Sequence, residues 1–97
     1  MPKYVILVDW TEQGARDVQE TTQRADQARR MVEQMGGRMD TLYWTQGRYD
    51  LVGVMDAPDE ETGAAIGLRV GTQRATRTET LRAFDAEEMG RILAKVG

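Results

Sequence analysis

The chain contains neither cysteine nor histidine. Their absence removes disulfides and thiolate chemistry, together with imidazole bases and the usual zinc, copper or haem ligands. No spaced set of aspartates forms an oxygen cage for magnesium or calcium, so neither a metal nor a cofactor is expected. Any proton transfer near neutral pH falls to carboxylates, tyrosine and lysine. A basic stripe is also missing: 13 Lys and Arg are interspersed with 16 Asp and Glu, for a net charge of −3. That balance points away from nucleic acid and from anionic membrane surfaces. No apolar run approaches the roughly 20 residues that span a bilayer. Met1-Pro2-Lys3 leads straight into a strand-like run, too soon for a signal peptide. A soluble, cytoplasmic protein is expected, and the missing cysteines suit a reducing compartment.

What is present fits one domain over residues 1–97. An apolar fraction of 40% beside 30% charged residues is ordinary for a soluble globular chain. A domain this small removes only roughly 60–70% of its unfolded-chain surface on folding. An exposed apolar sheet face is then a liability, and a second copy is the simplest cover for it.

Tyr4-Val5-Ile6-Leu7-Val8 is an unbroken apolar run, read as a first strand buried on both sides. Thr11 is placed to cap a short helical turn over Glu12–Asp17. From about Thr22 to Met35, Ala25, Ala28, Met31, Val32 and Met35 recur at helical spacing, and Gly36-Gly37 ends the helix. Arg38–Thr45 reads as a second strand and Tyr49–Met55 as a third, joined by a tight hairpin at Gln46-Gly47. Trp44 or Tyr43 then faces Tyr49 across the pair. Pro58 and the acids after it open a second helix, running to about Val70. Its Gly63, Gly67 and Gly71 fall four apart, for close packing on the sheet or for a contact between subunits. Arg74–Phe84 is the fourth strand, with Thr76, Thr78 and Thr80 on one face and Arg77, Glu79 and Leu81 on the other. Asp85 and Glu88 form a capping box before a last helix striped with Met89, Ile92, Leu93 and Val96.

The order β-α-β-β-α-β plus a C-terminal helix predicts an α+β fold, a ferredoxin-like sandwich with a four-stranded antiparallel sheet in the order 4-1-3-2. Both main helices cover one face and leave the other open. A homo-oligomer paired through that face is expected, with the last helix bracing the join. The first and third strands are read as parallel, which gathers Lys3, Asp50 and Arg82 at one end of the sheet and Trp10, Asp56 and Arg77 at the other.

Three separated motifs carry a resemblance. Lys3-Tyr4-Val5 with Trp10-Thr11-Glu12-Gln13-Gly14, then Tyr43-Trp44-Thr45 with Gly47-Arg48-Tyr49-Asp50, then Arg77-Thr78-Glu79-Thr80-Leu81-Arg82-Ala83-Phe84 together resemble the GYD domain family. Here an arginine stands between the glycine and the tyrosine of the signature. The resemblance implies the dimeric α/β-barrel group, whose protomer sheets pair around a cavity. It carries no catalytic residue with it. The glycine-rich second helix departs from the alanine more usual there.

Candidate site residues follow from chemistry. Tyr49 beside Asp50 can orient a substrate or move a proton, or else the two simply fix the hairpin. Arg77 and Glu79 share a strand face, to hold an anion and act as a base, or to form an ion-pair ladder. Trp10 and Trp44 sit at strand ends as pocket walls or interface packing. The threonine row is a strand former that can also line a polar cavity. Met31, Met35 and Met89 read as core filler. Ligand contacts are therefore expected at Trp10, Trp44, Tyr49, Asp50 and Arg77. Three functions fit these residues: an oligomer holding a small molecule between sheet and helices or between subunits; a cofactor-independent isomerase or oxygenase using Asp50 or Glu79 with Arg77; and a structural or regulatory association module.

Overall fold

The apolar run of the first strand is sorted by its alternation. In the computed structural model, which describes residues 1–97, β1 (Lys3–Trp10) buries Tyr4, Ile6 and Val8 and leaves Val5 and Leu7 half-exposed. Within the single chain one side of β1 is buried, as expected of a sheet whose helices cover one face and leave the other open. After β1 come α1 (Glu12–Arg16), a 3₁₀ turn (Val18–Glu20) and α2 (Thr21–Gln34). The antiparallel pair β2 (Arg38–Trp44) and β3 (Leu51–Asp56) follows, then α3 (Glu60–Gly71), β4 (Thr76–Ala83) and α4 (Ala86–Val96). The sheet order is β2-β3-β1-β4, all antiparallel, as a ferredoxin-like sandwich requires.

Local chemistry sets the element ends. The Thr11 hydroxyl accepts from the Gly14 N–H, and the Asp59 carboxylate accepts from the Thr62 N–H at 2.7 Å. Both halves of the Asp85–Glu88 capping box are formed. The core consists of Tyr4, Ile6, Val8, Met39, Leu51 and Met55 from the sheet, Val32 from α2, Ile66 from α3 and Ala57 before it. Met31 and Met35 pack against it as filler, whereas Met89 lies exposed on α4. Of the α3 glycines, Gly63 serves the sheet: a β-carbon there would run into the Tyr4 ring, while Gly71 has open space.

Two further sequence expectations are corrected. The first and third strands are antiparallel, not parallel, with Lys3 opposite Asp56 and Val8 opposite Leu51. The reason is topological: α2 returns the chain so that β2 runs with β1, and the reversal into β3 then opposes both. Asp50 and Asp56 therefore exchange ends. Asp56 lies beside Lys3, and Asp50 lies beside Trp10.

The hairpin is also longer than a two-residue turn. Trp44 pairs with Leu51 and Tyr43 with Val52, so Tyr49 belongs to the loop and has no cross-strand partner. Thr45 closes that loop, its N–H donating to the Asp50 carbonyl at 2.8 Å and its hydroxyl to the Tyr49 carbonyl. The Asp50 N–H meanwhile donates to the Val8 carbonyl, which draws the start of β3 toward β1. Gly47 supplies the positive φ, +118°.

A register shift between Met39 and Thr41 has a further effect. It lets Met39, Leu42 and Trp44 share the helix side although the first two are three residues apart.

Candidate functional site

The register sorts the sheet into two surfaces. On the open side, two rows cross all four strands: Thr41-Val54-Val5-Leu81 and Tyr43-Val52-Leu7-Glu79. Val5, Leu7, Val52 and Val54 are half-buried, while Leu81 and Tyr43 are 42% and 66% exposed. Polar groups bound this apolar band. At one end Lys3 bridges Asp56 at 2.8 Å and Asp40 at 3.2 Å, and Arg38 reaches the same two carboxylates at 3.4 and 2.7 Å. The Asp56 bond, then the Asp40 bond, holds the Lys3 ammonium above the usual lysine range. Asp40 is held below the usual carboxylate range by hydrogen bonding with Asp56 first, then with Lys3 and Arg38.

At the other end the Tyr49 hydroxyl donates to Glu79 Oε2 at 3.2 Å, with the Arg48 guanidinium 5.5 Å from the Tyr49 ring centre. Arg77, two residues from Glu79 on the same face, forms no ion pair. A phenol, a carboxylate and an unpaired guanidinium at one corner can bind an anion or relay a proton. Asp50 already has a partner: its Oδ2 accepts from the Trp10 backbone N–H at 2.8 Å, fastening the hairpin loop to the end of β1.

The helix side differs. Here α2 lies over β2 and α3 over β4, and between them a cavity of about 300 Å³ opens above β1 and β3. Trp10 lines it, whereas Trp44 turns its Nε1 to the Thr21 hydroxyl at 3.0 Å beside a smaller hollow. The five expected ligand residues therefore share one end of the sheet but divide between its faces. Trp10 and Trp44 lie on the helix side, Tyr49 and Arg77 on the open side, and Asp50 at the seam.

Sequence reasoning named the threonine row, and Thr76 and Thr78 do line the cavity. It missed Arg24 and Arg69. The available signal was the pair of alanines, Ala25 and Ala28, on the core stripe of α2, where a filled interior would carry larger side chains.

The family model of the GYD domain matches residues 4–93. The chain belongs to the GYD domain family. Of its three motifs, Lys3-Tyr4-Val5 lies at the Asp56 end of the sheet, the Trp10–Gly14 and Tyr43–Asp50 segments lie at the Tyr49 end, and the third runs along β4. A relative from Thermus thermophilus, named as a glutamine synthetase and cystathionine beta-lyase binding protein, is 28% identical over 90 residues. That match covers 92% of this chain and 95% of the relative. No helix of this GYD protein is long and apolar enough to cross a membrane.

Proposed function

We propose that this GYD protein is a cytoplasmic association protein. It pairs with copies of itself through the open sheet face, docks on partner proteins, and holds a small molecule between sheet and helices. The observation that carries this reading is the band of Val5, Leu7, Val52, Val54 and Leu81, bounded at each end by charged side chains. An apolar centre with a polar rim is the usual anatomy of a protein interface.

The last helix supports the same reading. No residue of α4 is buried, and its Leu93 and Val96 are 57% and 78% exposed. An amphipathic helix acquires a reason for its stripe when a neighbouring subunit packs against it. The relative's name, which describes binding to two enzymes, supports docking on other proteins. In a face-to-face pair, the corner of Tyr49, Glu79 and Arg77 lines the shared chamber.

Native mass spectrometry of freshly purified protein tests this reading. A dimer or higher multiple, some of it carrying a retained small molecule, is the expected spectrum. A bare single subunit at all concentrations contradicts it.

A further inference from the structure

The cavity under the helices has a chemical character of its own. Protein interiors are packed about as densely as organic crystals, and gaps beyond a single water are few. A space of about 300 Å³ against the core of so short a chain is at the lower end of ligand-site volumes. Its floor is apolar, with Ile6, Val8 and Leu51 all buried core residues, and Met31 forms part of the wall. The α2 residues that would fill a closed interior are Ala25 and Ala28.

Two observations define what fits there. The first is the Trp10 indole, which lines the cavity while its Nε1 is buried behind the wall without any acceptor. Indole N–H is a donor only, so its missing partner must be an acceptor. The second is charge. Arg24 and Arg69 line the cavity and no acid does, although acids outnumber bases in the whole chain. Arg24 donates to the Asp17 and Gly14 carbonyls, which leaves its charge uncancelled, and Arg69 forms no ion pair. An apolar floor, an orphan donor and a cationic wall describe the complement of an amphiphilic anion.

We infer that the cavity between α2, α3 and the sheet binds a small carboxylic acid with an apolar body, of medium-chain fatty or arylalkanoic type. The tail lies on Ile6, Val8 and Leu51. The carboxylate faces Arg69 and accepts from Trp10 Nε1 once the indole turns its N–H toward the cavity. This inference rests on the small-molecule part of the function proposed above and adds the ligand's class.

Octanoate is the probe, with octanol and octylamine as neutral and cationic matches of the same tail. The readout is the pair of indole N–H resonances in a nitrogen-15 spectrum of the intact protein. Trp44, already bonded to Thr21, serves as the internal reference. Octanoate should move the Trp10 resonance saturably, with octanol binding about tenfold more weakly, the scale of one charge-assisted hydrogen bond, and octylamine weaker still. Arg69→Glu should lower octanoate affinity by about tenfold and leave octanol unchanged. Ala28→Leu, which fills the space from a helix position suited to leucine, should abolish both while circular dichroism stays unchanged.

Equal binding of octanoate and octanol overturns the acid class while leaving a small-molecule site in place. Absence of any saturable shift, or undiminished binding in Ala28→Leu, overturns the site itself. A retained non-acidic molecule in the native mass spectrum would likewise sink the acid class and spare the broader reading.

Discussion

The two faces of one sheet were built to different ends. Alternate residues of β1 supply both: Tyr4, Ile6 and Val8 lie under the helices, while Val5 and Leu7 face outward. On the helix side the chain has enough cover, yet small residues leave a hollow in it. On the outer side it has two rows, each apolar across three strands, and leaves them facing outward. The contrast teaches that burial within the chain and burial between chains are written in the same alternation. The sequence pattern cannot distinguish them, because both demand apolar side chains at every position of a central strand.

That contrast can be broken one face at a time. Ile6→Ala, under the helices, should lower unfolding stability by about 2–5 kcal/mol without changing how subunits associate, as read by urea unfolding and sedimentation. Leu7→Lys, its neighbour on the open face, should do the reverse. It should leave the fold intact and weaken assembly by about 2–3 kcal/mol per subunit, the value of one buried leucine. If the two substitutions gave the same phenotype, the distinction between the faces would be lost.

Gly63→Ala tests the helix side at its tightest point. The added methyl meets the Tyr4 ring, and a loss of about 1–3 kcal/mol in thermal or urea unfolding is expected. Asp50→Ala tests the seam. It leaves the Trp10 N–H without its acceptor and should cost about 1–3 kcal/mol, with the loop from Thr45 to Asp50 gaining hydrogen-exchange rate.

The smallest expected effect is on pH. Asp40 and Asp59 are held below the ordinary carboxylate range, Asp40 by Asp56, Lys3 and Arg38, and Asp59 by the Thr62 N–H and then its hydroxyl. Their contribution is present above that range and fades as pH falls through their lowered values. Lys3 titrates above the ordinary lysine range, so its contribution holds below that range and fades as pH rises past the raised value. A urea midpoint that is flat through neutrality and falls toward both extremes is expected. Asp59→Ala should flatten the acid limb.

Much of the fold was legible because its signals are local. Thr11, Gly36 and the Asp85–Glu88 pair mark helix ends by their own hydrogen bonds, and helical spacing of apolar residues gave α2 and α4. The family was legible because its motifs are spread in order along the chain. What was missed depends on register. Asp50 and Asp56 are six positions apart in one short stretch, and only strand direction decides which of them meets Lys3. Tyr49 looked like a strand residue, but the hydrogen bonds of Thr45 keep it in the loop. Arg69 lies near the end of α3 with nothing in its neighbours to single it out, and the packing of two separate helices brings it to the cavity.

Sedimentation equilibrium of the unmodified protein, across a wide range of concentration, tests most directly whether the outer face is a meeting surface. A mass that is a multiple of the subunit's, falling to a single subunit in Leu7→Lys, is the predicted result. A single subunit at every concentration in both proteins would contradict the account.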